Sequence, residues 1–269
     1  MSLPPWRWAG RWALVTGASA GIGEAFAEQL AARGMHLVVS ARRVERLHAL
    51  AERLEARHGG RVVPVRADLA EPGAAAALWE QAAGGRDIHL LVNNAGFGQF
   101  GPLHDAPVQR QTEMVRVNCT APLELCHLAL PAMRARGEGG IVNVSSIAAY
   151  QPVPGLATYA ASKAFLLSLS QALWSENRDA GVRVLALCPG RTPTEFQRIA
   201  GTGQAQGAFG ARSVHQVVEA ALRGLERGGH TVIPGVENVL ATWLVRLIPR
   251  SALTRALKAL VRRRAGRHT

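Results

Sequence analysis

The chain is short of cysteine, lysine, tyrosine and acidic residues, and each shortage excludes something. Its three cysteines, Cys119, Cys126 and Cys188, make no even set for a disulfide framework and keep no metal-ligand spacing, so buried thiols in a reducing compartment are expected. The nine histidines form no ligand cluster, and no metal is expected. No run reaches the ~18 apolar residues of a membrane-spanning helix, and Met1 to Trp8 lack the apolar core of a signal peptide. The expectation is a soluble, cytoplasmic protein. Aromatic residues make up 5% of the chain against 48% hydrophobic residues in all, which predicts a core of Val, Leu and Ala. Such a core suits a doubly wound parallel sheet, whose central strands read as continuous apolar runs.

Acid is outnumbered: 19 Asp and Glu face 31 Lys and Arg, for a net charge of +12. Much of the excess is local, because Arg246, Arg250, Arg255, Lys258, Arg262, Arg263, Arg264 and Arg267 all follow the last acid, Glu237. A basic tail explains this balance better than a nucleic-acid face does. No zinc-finger spacing or basic zipper is present, and aromatic residues do not interleave with basic ones as a stacking platform requires. No nucleic-acid partner is expected.

What is present is an alternation of apolar runs and helical patterns, the signature of repeated βαβ units. Strands are expected at 12–15, 36–40, 62–65, 88–92, 140–144 and 182–187, and helices at 22–33, 44–57, 108–135 and 159–179. The 269 residues suffice to bury a sheet on both faces. No internal repeat or dividing linker interrupts the series. One α/β domain over residues 10–235 is therefore expected, with helices on both faces of its sheet.

Two segments carry chemistry. Thr16-Gly17-Ala18-Ser19-Ala20-Gly21-Ile22-Gly23 lies between the first strand and the first helix, with glycines where a tight turn and close backbone approach are needed. A helix N-terminus offers unpaired N–H groups and positive potential to a pyrophosphate. That context makes the loop a dinucleotide fingerprint. At the end of the second strand a carboxylate would accept the ribose hydroxyls of NAD, whereas arginine accommodates the extra phosphate of NADP. The chain has Arg42 and Arg43 there and no acid until Glu45. NADP(H) is the expected cofactor, with NAD(H) left open; the plain alternative is that both arginines begin a solvated helix.

The second segment holds one of only two tyrosines and one of only two lysines: Tyr159 and Lys163, one turn apart on the same face if the stretch is helical. A free phenol titrates near pH ~10, and a neighbouring positive charge lowers that value. Tyr159 is thus expected to pass a proton near neutral pH. A lone polar pair on a helix face is the competing interpretation.

Together with Asn93-Asn94-Ala95-Gly96 after the fourth strand, these motifs make the chain resemble the short-chain dehydrogenase/reductase family over roughly residues 10 to 195. The resemblance implies a Rossmann fold and a nicotinamide cofactor bound by Gly17, Ser19, Gly21, Ile22, Gly23, Arg42 and Arg43. It extends the cofactor set to Asp68 at the adenine, to Asn94, Ala95 and Gly96, and to Pro189, Gly190, Thr192 and Thr194 closing over the nicotinamide. Tyr159 and Lys163 belong to both sets. As catalytic residues the resemblance implies Ser146 and Tyr159 holding a carbonyl substrate, with Tyr159 as proton donor. Lys163 would lower the phenol's pKa and hold the nicotinamide ribose, and Asn118 would anchor a water that resupplies the proton. Ser145 and Ser146 could instead simply turn the chain after a strand, and Asn118 could be an ordinary polar residue in a helix. The family also implies a small carbonyl or alcohol substrate and a homodimer or homotetramer. A catalytically silent NADP sensor or scaffold of the same fold is the alternative function, disfavoured because serine, tyrosine, lysine and asparagine are all in place.

Beyond the motifs, residues 199–212 are rich in glycine and read as a mobile lid within a substrate loop at about 192–213. Residues 236–269 form a basic amphipathic extension. Val236, Val239, Leu240, Trp243, Leu244, Leu247 and Ile248 make one apolar stripe, and after Pro249 a second holds Leu253, Ala256, Leu257, Leu260 and Val261 opposite Arg255, Lys258 and Arg262. Such helices can pack on their own core, on a neighbouring subunit or over the substrate channel. They can also lie on a membrane, which would suit a lipophilic carbonyl such as a fatty aldehyde, 3-oxoacyl chain or sterol.

Overall fold

The structure is a computed structural model that describes residues 5–201 and 211–265. Its strands are β1 (Trp12–Thr16), β2 (His36–Ala41), β3 (Val62–Arg66), β4 (Ile88–Asn93), β5 (Gly139–Val144), β6 (Val182–Leu187) and the short β7 (Thr231–Val232). All pair in parallel, in the order β3-β2-β1-β4-β5-β6-β7. Successive strand residues point to opposite faces, so Ala13 and Val15 enter one core while Leu14 enters the other. Both faces are covered, which is why the strands are mostly apolar rather than alternating with polar residues.

One face is closed by α1 (Gly21–Ala31), α2 (Val44–His58) and α8 (Val214–Glu226), through Phe26, Leu47 and Leu222. The other is closed by α3 (Ala74–Ala83), α4 (Val108–Val115), α5 (Ala121–Arg136) and α6 (Ala157–Asn177), through Leu78, Met114, Leu125 and Tyr159. The chain winds outward from β1 to β3, then returns to start β4 on the other side of β1. The reversal leaves a crevice outside the carboxyl ends of β1 and β4, where such sheets bind ligands.

The expected helix over 108–135 is present, with a change of register inside it: α4 and α5 are joined by a π-helical turn, Arg116–Thr120, which contains Asn118. A π turn within a helix re-aims side chains and recurs at functional sites. Four elements were not read from sequence, α7 (Glu195–Ala200) within the expected substrate loop being one. The α3 segment is a run of alanines with little periodicity, β7 spans two residues, and α8 is announced by a capping box between Ser213 and Gln216. After β6 come α7 (Glu195–Ala200) and, beyond β7, α9 (Val236–Leu247) and α10 (Arg250–Ala265). The expected lid thus begins with the end of a helix, and most of it, residues 202–210, lies outside the described residues. No helix among the described residues is long and apolar enough to cross a membrane.

Candidate active site

The carboxyl ends of the central strands open on a cleft of about 1510 Å³. Gly17 (φ 66°) and Gly21 (φ 62°) adopt left-handed backbone that other residues resist, and they turn the chain from β1 into α1. Thr16 Oγ1 braces the turn: it donates to the Val92 carbonyl (3.2 Å) and accepts from the N–H groups of Asn94 (3.0 Å) and Ala95 (3.1 Å). Asn94 Nδ2 returns bonds to the carbonyls of Thr16 (2.9 Å) and Gly17 (3.2 Å). A methyl on Gly23 would overlap both the Gly17 carbonyl and the Asn94 amide. Gly23→Ala is therefore expected to lower Tm and weaken dinucleotide binding, since overpacking costs about 1–3 kcal/mol; thermal melts and a cofactor titration would show both.

The cradle fits a phosphorylated dinucleotide on its own chemistry. Ala20, at the N-cap of α1, supplies no side-chain hydrogen bond, so the helix's first N–H groups face the cleft without an internal cap. Arg43 lies at the far end, donating from Nε (3.2 Å) and Nη2 (3.0 Å) to Ser19 Oγ and from Nη1 to Glu195 Oε2 (2.8 Å). Arg46 meets the other Glu195 oxygen at 3.0 Å. These hydrogen bonds, that from Arg43 first, hold the Glu195 carboxyl below its usual pKa. Arg42 is looser, 3.9 Å from Asp68, whose Oδ1 also accepts from the Ala70 N–H (3.1 Å).

At the other end, Tyr159 and Lys163 are buried one turn apart on α6. Lys163 Nζ donates to the Val144 carbonyl (2.8 Å) at the end of β5, and stands 5.8 Å from the centre of the Tyr159 ring. Burial lowers the Lys163 pKa to about 8. Burial also raises Tyr159 to about 12, against a hydrogen bond with Ser146 that acts the other way. This corrects the expectation that Lys163 brings the phenol toward neutrality: desolvation dominates, and the phenol stays protonated at neutral pH.

Both serines line the cleft but bond differently. Ser145 Oγ donates to the Lys163 carbonyl (2.8 Å), tying β5 to α6, while Ser146 Oγ caps the next turn by accepting from Ala148 N (3.1 Å). Asn118 lies behind the cleft, fully buried: Nδ2 donates to the Phe97 carbonyl (3.0 Å) and to Ser162 Oγ (2.9 Å), and Oδ1 accepts from Phe97 N (3.2 Å). Its amide thus fastens the segment after β4 to α6. A methyl at Gly96 would press on both Asn118 Oδ1 and Lys163 Nζ.

Of the residues expected to bind or act, all but Gly23 and Asn118 line the cleft: Gly17, Ser19, Gly21, Ile22, Arg42, Arg43, Asp68, Asn94, Ala95, Gly96, Ser146, Tyr159, Lys163, Pro189, Gly190, Thr192 and Thr194. Thr194 caps α7 and rests against Gly21. Sequence reasoning missed Glu195, Arg46, Ser162 and the apolar wall of Phe97, Phe100, Leu156 and Phe196, which Ile199 from the expected loop and Leu257 from the tail complete. Phe196 packs on the Tyr159 ring at 5.3 Å, and Gly98 makes room for both rings. Thr194 and Gln197 three residues apart announce the α7 cap, but only tertiary contact could place Phe196.

Comparison with known proteins agrees with this geometry. The family model described as short chain dehydrogenase matches residues 11–205. A 7beta-hydroxysteroid dehydrogenase of Collinsella aerofaciens is 35% identical over 185 residues, 69% of this chain and 70% of that protein. A very-long-chain 3-oxoacyl-CoA reductase of Phaeosphaeria nodorum is 33% identical over 238 residues, 87% of this chain and 67% of the relative. Among solved structures, a short-chain dehydrogenase from Sphingobium yanoikuyae in complex with NADPH superposes with a TM-score of 0.81 at 35% identity, covering 93% of this chain and 95% of the other.

Proposed function

The chain belongs to the short-chain dehydrogenase family, and on that premise we propose that it is an NADP(H)-dependent oxidoreductase interconverting a lipophilic carbonyl, steroid-like or long-chain acyl, and the corresponding secondary alcohol. The observation that carries the reading is the convergence of Ser146, Tyr159 and Lys163 on one wall of a cleft whose opposite end is a glycine cradle beside Arg43. When bound, the nicotinamide supplies the hydride. The protein's share is placement and the proton. Ser146 and the Tyr159 hydroxyl hold the carbonyl oxygen, and the protonated phenol is the general acid. Lys163, fixed by the Val144 carbonyl, holds a positive charge 5.8 Å from the centre of that phenol's ring. Asn118 acts as a positioning residue, locking the wall on which Lys163 stands.

Substrate class is read from the wall. Phe97, Phe100, Leu156, Phe196, Ile199 and Leu257 offer apolar area and few hydrogen-bond partners, the lining that retains a large apolar ligand. The relatives named for hydroxysteroid and 3-oxoacyl-CoA chemistry support the same class. The test is oxidation of NADPH and NADH against steroid ketones, 3-oxoacyl thioesters, long-chain aldehydes and small diketones, with the Tyr159→Phe protein as blank. Tyrosine-dependent turnover of the large apolar ketones or acyl thioesters is expected. Turnover confined to small polar carbonyls would remove the lipophilic reading, and tight NADPH binding without any turnover would favour a nucleotide sensor.

A further inference from the structure

Helix α9 presents two unlike sides. Its inner side is committed to the fold: Thr242 is buried, and the Asn238 side chain donates to the Pro234 carbonyl (2.7 Å) and fills the space beside Gly190. Its outer side is covered by none of the described residues. Val236, Leu240, Trp243, Leu244 and Leu247 are 72%, 58%, 62%, 59% and 81% exposed, and Ile248 continues the stripe. Large exposed apolar patches are uncommon on soluble proteins and mark interaction surfaces.

The charge around the stripe has one sign. Arg246, Arg250, Arg255 and Lys258 are exposed, and among the described residues none of them pairs with a carboxylate. The one acid of α9, Glu237, is engaged by Arg212 at 3.1 Å. The Arg246 guanidinium stacks 5.3 Å from the Trp243 ring, an aromatic and a cation side by side at the edge of the stripe. A second copy docked face to face would set these cations against their own duplicates, because a two-fold contact repeats the same patch on both sides. An anionic bilayer meets both features at once: acyl chains accept the apolar stripe, and lipid headgroups accept the arginines.

We propose that the outer face of α9, with the basic start of α10, docks the protein on an anionic lipid bilayer. The geometry gives this surface a use. Leu253 of α10 is buried and Leu257 lines the catalytic cleft beside Phe100 and Ile199, so the segment that rests on lipid also borders the mouth through which an apolar substrate passes. The surface is tested without any turnover, so its failure and the failure of the reductase reading are separate results.

The full chain is pelleted with phosphatidylcholine vesicles and with vesicles in which about one third of the lipid is phosphatidylserine. Binding is expected to the second and not the first, to weaken as salt is raised, and to fall by about tenfold or more in Trp243→Asp/Leu247→Asp and in Arg250→Glu/Lys258→Glu. All four side chains are exposed, so both variants should melt as the parent does; a melt confirms it. Absent binding to the anionic vesicles would overturn the proposal, as would binding that both variants retain. So would a dimer that Trp243→Asp/Leu247→Asp dissociates in lipid-free sedimentation, which would make a second copy the occupant.

Discussion

Replacing Tyr159 by phenylalanine is expected to cut carbonyl turnover by about 10²–10⁴-fold, the usual contribution of a positioned general acid, while NADPH titrates nearly as before. The substitution removes one oxygen and little else. The ring keeps its contact with Phe196 at 5.3 Å and its place in the core formed with Met114 and Leu125. What disappears is the hydroxyl that hydrogen-bonds Ser146 and faces the cleft. A loss of comparable size in cofactor affinity would mean that the ring had moved, and full activity would refute the assignment of the proton.

The pH profile of the parent enzyme gives the same experiment a second readout. With Tyr159 raised to about 12 by burial, the donor is loaded across the neutral range, and the reverse reaction, which must deprotonate it, should speed up as pH rises. Lys163, lowered to about 8, is charged at neutral pH and loses its proton as pH climbs through that value, so reduction should decline above it. Linkage to stability has opposite signs for the two groups. The cost of burying the ammonium is present in full below about pH 8 and is relieved as pH rises toward Lys163's unfolded value near ~10.5. Burial of the neutral phenol instead loses its benefit as pH passes from ~10 toward about 12.

Much of this site was legible because its parts are local. The glycine loop, the Tyr159/Lys163 pair and the arginines after β2 each sit within a few residues of one another, and a parallel sheet brings the carboxyl ends of its strands together. What the sequence hid depends on contacts between distant segments. The pair at 159 and 163 was visible, but the direction of the phenol's pKa was not, since it depends on how completely the rest of the chain buries the ring. Asn118 was identified as a helical residue, yet the π turn that carries it and its bonds to Phe97 and Ser162 appear only in three dimensions. The apolar stripe of α9 was legible from its spacing, whereas its exposure was not, because the same stripe on α8 is buried. Glu195 had no signal at all. It is one exposed-looking acid that becomes informative only when α7 sets it between Arg43 and Arg46.

The Glu195 contact bears on cofactor choice. Arg43 is pinned by two bonds to Ser19 on the glycine loop and already directs a third nitrogen at an anion, the Glu195 carboxylate. Arg42 is 61% exposed and its one carboxylate contact, to Asp68, is 3.9 Å long. Both line the cleft, but the fixed guanidinium should read the extra phosphate of NADP more strongly than the loose one. Hydrogen bonds to charged groups contribute about 1.5–3 kcal/mol, so Arg43→Asp should weaken NADPH binding by on the order of 10- to 100-fold. Arg42→Asp should cost less, and NADH, which lacks the phosphate, should change little in either variant. Fluorescence titration with both nucleotides decides it. Equal losses for NADPH and NADH in Arg43→Asp would show that the residue supports the glycine loop through Ser19 without reading the phosphate. A larger NADPH-specific loss in Arg42→Asp would transfer the reading to the exposed arginine, leaving Arg43 as the tie that holds α7 through Glu195.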